Sequence, residues 1–172
     1  AGCAILGRHY FAALNGTVNS ETALANPMTA LLTLGKDDFI NIAGLRNTIT
    51  DSHYDNPDRR GRQLTFLARM VADKVTPARG IGVPERTAVL VDEKGVASVV
   101  GRSRVCFLQS DGQIPEILVA NTPLTWDRGG KAVRVTELGA NDGTINLANW
   151  QTSDPLPISF FFAKVGSLFV GQ

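Results

Sequence analysis

The sequence predicts a mixed α and β domain, and three observations carry that expectation. Leu64, Leu67, Ala68, Val71, Ala72 and Val75 form an apolar stripe at helical spacing. After Gly80 the pattern changes to short apolar runs separated by turn residues, which is a strand signature. Helical patterns therefore come first and strand patterns later, with no internal repeat.

In chain order, residues 1–14 read as a helix, because Cys3, Leu6, Gly7, Tyr10 and Leu14 share one face and Asn15-Gly16 follows as a stop. Residues 17–44 are mixed, with a turn at Asn26-Pro27. Residues 45–50 read as a short strand running into the polar cluster Asp51-Ser52-His53. Asn56-Pro57-Asp58 opens the second helix, with Asp58 as N-cap and Pro77 and Gly80 closing it. Residues 87–91 and 96–100 form a hairpin pattern around Asp92-Glu93-Lys94-Gly95. Residues 105–108 and 117–120 read as strands, and 124–138 as a hairpin across Asp127-Arg128-Gly129-Gly130. Residues 158–163 and 167–170 close the chain as strands. The early helices need a sheet to pack on, yet few strands precede them. A fragment whose N-terminal parallel sheet lies elsewhere has this pattern.

The chain has 172 residues, enough for one domain with a core, and 44% apolar with 19% charged residues fits a folded protein. A formal net charge of +1 argues against nucleic acid or a membrane surface as partner. No apolar run reaches the roughly 18 residues of a bilayer span; the run at 158–170 is broken by Lys164 and Gly166. Cys3 and Cys106 make neither a disulfide framework nor a metal site, and their apolar neighbours suit buried thiols. No metal or cofactor is implied, since ligand types are few and scattered. Ala1-Gly2-Cys3 lacks both an initiator methionine and a signal pattern. It reads as a processed or truncated start, with any export signal upstream and the compartment open.

Chemistry narrows to two histidines. His9, beside Arg8 and Tyr10, reads as a surface or helix-packing residue. His53 follows an expected strand end, where α/β enzymes place a general base; the alternative is a turn histidine in a polar loop. Arg59, Arg60 and Arg62 crowd the first turn of the second helix, where the helix dipole disfavours cations unless an anion is bound. The alternative is a solvated, salt-bridged face, with Arg60 pairing to Asp51 or Asp55.

Three blocks carry a resemblance. Ala1-Gly2-Cys3-Ala4-Ile5-Leu6-Gly7 is similar to the segment after the nucleophile in the Ser-Ala-Gly motif of cyanophycinases and dipeptidase E. Thr50-Asp51-Ser52-His53-Tyr54 followed by Asp58-Arg59-Arg60-Gly61-Arg62 resembles the cyanophycinase segment Asp-Gln-His-Phe followed by Arg-Gly-Arg-x-Gly-Arg. Gly80-Ile81-Gly82-Val83-Pro84-Glu85-Arg86-Thr87-Ala88 resembles Gly-Ile-Gly-Ile-Asp-Glu-x-Thr-Ala. The chain thus resembles the C-terminal part of the cyanophycinase-like, dipeptidase E-like serine exopeptidase family, with the diagnostic blocks in residues 1–105 and a β-rich remainder, 106–172, of the same domain.

The resemblance implies a fold: a three-layer α/β sandwich of the class I glutamine amidotransferase type. Its central sheet would be mostly parallel with helices on both faces, its N-terminal half absent from this chain, and its C-terminal extension β-rich. It also implies an activity, serine-dependent hydrolysis of cyanophycin-like or β-aspartyl peptides, with the serine just upstream of Ala1. His53 would be the general base and Glu21, in Ser20-Glu21-Thr22, the acid that orients it. The amide of Ala1 would help form the oxyanion hole. Asp51, Ser52, Arg59, Arg62 and Glu85 would bind substrate, the arginines on its carboxylates. Pro57, Ser52 and Pro84 depart from the family pattern and put strict preference for cyanophycin in doubt. The expected partners are an acidic peptide substrate, an N-terminal segment or companion chain of the same protein, and a second copy of the chain. The competing reading is a binding or structural module that keeps the fold without turnover. A cysteine nucleophile at Cys3 is disfavoured, because Cys3 lies two residues past the elbow position.

Overall fold

The computed structural model describes residues 2–38 and 40–172. Twelve strands and two α-helices are described: β1 (His9–Phe11), α1 (Ser20–Ala25), β2 (Leu34–Lys36), β3 (Thr48–Ser52), α2 (Arg60–Ala72), β4 (Arg79–Val83), β5 (Thr87–Val91), β6 (Val96–Gly101), β7 (Val105–Ser110), β8 (Val133–Leu138), β9 (Thr144–Asn146), β10 (Gln151–Thr152), β11 (Ile158–Lys164) and β12 (Ser167–Gly171). They form an eight-stranded sheet ordered β12-β11-β8-β7-β4-β3-β1-β2 and a four-stranded sheet ordered β10-β9-β6-β5.

This architecture corrects the expected α/β sandwich. Only β1, β3 and β4 run parallel to one another; the remaining pairings of both sheets are antiparallel. Both α-helices pack on one face of the large sheet, and the small sheet, not a helix layer, covers the other. The cause is legible in the chain. Nothing after residue 80 carries a helical period, so only strand-forming sequence is left to cover the second face. Strand alternation divides the core accordingly. Cys106 and Leu108 of β7 face the helix-side cluster, whereas Val105 and Phe107 face the cluster shared with the small sheet. Residues 106–172 contribute strands to both sheets, β7, β8, β11 and β12 to the large one and β9 and β10 to the small one.

The unit β3-α2-β4 is a parallel strand–helix–strand crossover, and it positions the candidate site. The N-cap of α2 is Arg59, not Asp58, and makes no side-chain capping bond; Asp58, one residue earlier, accepts the Arg60 N–H at 2.9 Å. At its end, Val75 N–H bonds to Met70 C=O and Lys74 N–H to Val71 C=O, with Lys74 at φ 65°, a Schellman closure without glycine. Leu64, Phe66, Leu67, Ala68 and Met70 are all buried, because α2 lies between the sheet and α1. On β4, the alternation Gly80-Ile81-Gly82-Val83 sends Ile81 and Val83 toward the small sheet. A Cβ at Gly82 would stand 2.5 Å from the Tyr54 ring, and one at Gly80 3.1 Å from the Gln63 amide. Both glycines exist to let α2 and Tyr54 lie against the strand.

The expected N-terminal helix does not form. Residues Gly2–Ile5 make a single 3-10 turn, and His9–Phe11 is a strand pairing in parallel with β3 and antiparallel with β2. Gly7 shows why: a Cβ there would sit 2.4 Å from the Thr48 carbonyl, so the chain passes directly over β3. Two further expectations change. Residues 117–120 form no strand, only a bridge from Ile117 to Thr125, and Trp126 bridges to Ala163 instead of folding back on β8. The β5–β6 hairpin forms as the sequence indicates, and the two closing strands, β11 and β12, pair antiparallel with each other.

Candidate active site

The parallel register of β3 and β4 pairs Ser52 with Val83, so both strands end together. The next residues diverge in backbone but not in position. His53 takes φ 50°, a left-handed conformation that costs a non-glycine residue about 1 kcal/mol and turns its side chain off the strand line. Tyr54 then ties back to β4, its N–H donating to the Val83 carbonyl at 3.3 Å. Across this junction His53 Nδ1 lies 2.8 Å from Glu85 Oε1. The Glu85 N–H donates to Asp55 Oδ1 at 3.3 Å, and the Thr87 hydroxyl donates to the Glu85 carbonyl at 3.1 Å. Both side chains are about half exposed, and no hydrogen bond to Nε2 of His53 occurs among the described residues. A histidine held at Nδ1 by a carboxylate, with Nε2 toward solvent, has the geometry of a general base.

Glu21 stands elsewhere. It is exposed in the first turn of α1 and makes no contact with His53; the carboxylate on His53 belongs to Glu85, expected above to bind substrate. Ala1, expected in the oxyanion hole, lies outside the described residues. The long helix that should have aimed its N-terminus at the site is replaced by the 3-10 turn of Gly2–Ile5. That turn nonetheless rests on β3 close to the site. The Thr50 hydroxyl donates to the Cys3 carbonyl, and Cys3 Sγ lies 4.0 Å from the Asp51 carbonyl. Burial, with Asp51 nearby, pushes the Cys3 thiol up from its usual value.

The arginine cluster divides by depth. Arg62 is buried and forked onto Asp51, Nε to Oδ2 at 2.8 Å and Nη2 to Oδ1 at 2.5 Å, with Nη1 donating to the Val18 carbonyl at 3.1 Å. Its guanidinium also lies over the Phe11 and Phe66 rings. Arg62 and Asp51 therefore satisfy each other inside the protein, and neither has a fork left for a substrate carboxylate. Arg59 donates from Nη1 to the Ser52 carbonyl at 2.9 Å and lies 3.6 Å from Asp51 Oδ1. Ser52 is half-buried, and its N–H donates to Asp51 Oδ1 at 2.9 Å. Arg60 forks onto Asp58 rather than Asp51 or Asp55, and that hydrogen-bonded pairing lowers the Asp58 carboxyl pKa.

Beside the dyad lies a cavity of about 300 Å³, lined by Tyr54, Asp55, Arg60, Pro84, Arg104, Cys106 and Glu137 among others. Sequence reasoning missed Arg104 and Glu137, which no local pattern marks. They arrive from β7 and β8 because those strands pair with β4 and with each other. Tyr54 contributes a buried hydroxyl that has no hydrogen-bond partner among the described residues. His9 sits in β1, buried, and burial pushes its pKa down, which keeps it neutral. Among the described residues no group of three or more His, Cys, Asp or Glu side chains is placed to hold a metal ion.

No family model matches the chain, and no curated protein matches it.

Proposed function

We propose that the chain is the histidine- and acid-bearing part of a serine-type exopeptidase that hydrolyses acidic or β-aspartyl peptides. The observation that carries this reading is the His53–Glu85 contact at 2.8 Å, formed where two adjacent parallel strands end. In this reading His53 Nε2 takes the proton of a serine hydroxyl as its oxygen attacks the peptide carbonyl. The same proton then passes to the leaving amine, and water hydrolyses the acyl-enzyme by the reverse use of the ring. Glu85, not Glu21, fixes the tautomer and stabilises the imidazolium. The serine comes from the segment preceding Ala1, or from a companion chain, as the resemblance implies. The contacts of Cys3 with Thr50 and the Asp51 carbonyl, near the end of β3 that leads to His53, are compatible with this reading. Arg59, partly exposed, and Arg60 and Arg104, which line the cavity, are cations near the site that would favour acidic substrates, Arg60 while also holding Asp58.

A non-catalytic binding module is the second reading. Its support is that no hydroxyl or thiol among the described residues is hydrogen-bonded to His53. One experiment separates the two. The polypeptide carrying the segment upstream of Ala1 is treated with an alkyl fluorophosphonate and the adduct is mapped. The peptidase reading expects a single labelled serine in the upstream segment, and no label after His53→Ala. A protein that binds acidic peptides yet takes no label would support the binding module instead.

A further inference from the structure

At the opposite end of β3 and β4 from His53, a cleft of about 830 Å³ opens between the large sheet and the β5–β6 hairpin. Its walls are largely apolar, formed by Leu6, Ile42, Leu45, Val89, Val91 and Leu147. Ile42 and Val91 are 39% and 52% exposed, so this apolar surface meets solvent. The half-buried cation in the lining is Arg79, the first residue of β4. Its guanidinium lies 5.2 Å from the centre of the Trp150 ring, and Nη1 reaches the Leu147 carbonyl only at 3.4 Å. Nε is buried without a partner, and Arg79 forms no ion pair among the described residues. Burial alone lowers its pKa, with no carboxylate acting against it. The lining also carries two acids, Asp92 and Glu93, and two exposed cations, Arg46 and Lys94, none of which forms an ion pair with Arg79. Asp92 is occupied by its own turn, accepting the N–H groups of Lys94 at 2.9 Å and Val96 at 2.8 Å.

A half-buried guanidinium without a counter-charge is costly, and the cost is relieved when an anion arrives. One guanidinium calls for one negative charge, and the apolar walls call for a hydrocarbon body. The volume falls within the range of small-molecule sites. We propose that this cleft binds a small carboxylate with an apolar body, its carboxylate on Arg79 and its hydrocarbon against Ile42, Leu45 and Val89. The site is independent of the peptidase reading, since it stands at the other end of the strands.

Octanoate is the probe, titrated into the protein by calorimetry and by tryptophan fluorescence. The expected result is saturable 1:1 binding, with octanol weaker by roughly tenfold or more, as loss of a charge-assisted pair implies. Arg79→Gln should weaken octanoate by a similar factor without changing the affinity for octanol, and Arg79→Lys should recover part of it. Arg46→Gln, at the rim, should change affinity less than about twofold. Absence of saturable binding, octanol binding as tightly as octanoate, or full octanoate affinity in Arg79→Gln would each overturn the proposal. A cleft filled by a preceding segment of the chain or by a second copy would show as the first of these. Should Arg79→Gln not fold, the octanoate–octanol comparison on the unmodified protein still decides.

Discussion

Nδ1 of His53 stands 2.8 Å from Oε1 of Glu85, although 32 residues separate them, and the two follow the ends of neighbouring parallel strands. The crossover through α2 produces this meeting, because it returns the chain to the same end of the sheet with Ser52 level with Val83. Asp55 and Thr87 then hold the Glu85 backbone from either side.

Arg62 is predicted to act on stability and not on substrate affinity. Its fork with Asp51 is buried on both sides, so Arg62→Ala strips a buried carboxylate of both fork hydrogen bonds and leaves it only the longer Arg59 contact at 3.6 Å. Loss of one partner of a buried pair costs about 3–5 kcal/mol. Urea unfolding should show that loss, and any residual activity should fall equally on acidic and neutral peptides. An unchanged unfolding midpoint with KM raised only for acidic peptides would return Arg62 to the substrate.

Lys74 closes α2 in a left-handed conformation that glycine adopts without strain. Lys74→Gly is expected to raise stability by about 0.5–1 kcal/mol, the steric relief exceeding the added freedom of the unfolded chain. A lower melting temperature in the glycine variant would mean that the Lys74 side chain contributes a contact larger than the strain.

Cys106 is predicted to be inert in the folded protein. Burial, reinforced by Glu137, pushes its thiol up from 9.0 to about 12. Only the thiolate is nucleophilic, so Ellman's reagent at pH 8 should reach Cys106 only after unfolding. The linkage has a definite sign. A raised pKa means that the native state holds the proton more tightly, so stability is full below the unfolded thiol's pKa and is lost as pH rises toward 12. Cys106→Ala should therefore flatten the alkaline fall in melting temperature above about pH 9. An equally steep fall in that variant would assign the effect to other groups, Tyr54 first among them.

Much of the fold is visible in the sequence where local pattern and tertiary role agree. Leu64, Leu67, Ala68 and Val71 of the expected stripe are buried in α2, which ends at Ala72, short of Val75, and Asp92-Glu93-Lys94-Gly95 turns β5 into β6. The N-terminal segment misleads because Cys3, Leu6 and Tyr10 happen to share a helical face. What decides its structure is the room at Gly7 for the Thr48 carbonyl, a contact 41 residues away. The parallel sandwich fails for a related reason: β7 and β8 insert beside β4, and no local signal states which edge a later strand will join. The sequence marks His53 and Glu85 as candidate site residues, but their contact follows only from the topology of the crossover. Two residues that each follow a strand of one such unit end up adjacent, and that rule, applied to the sequence, would have favoured Glu85 over Glu21.

The partnership is tested most directly by the turnover of two isosteric variants of the polypeptide that carries the upstream segment. Glu85→Gln removes the charge from His53 Nδ1 while keeping the shape, and should lower kcat by about 10³–10⁴ with KM within a few-fold. Glu21→Gln should leave both constants unchanged. A Glu85→Gln enzyme with normal kcat, or a collapse of kcat in Glu21→Gln, would contradict the account.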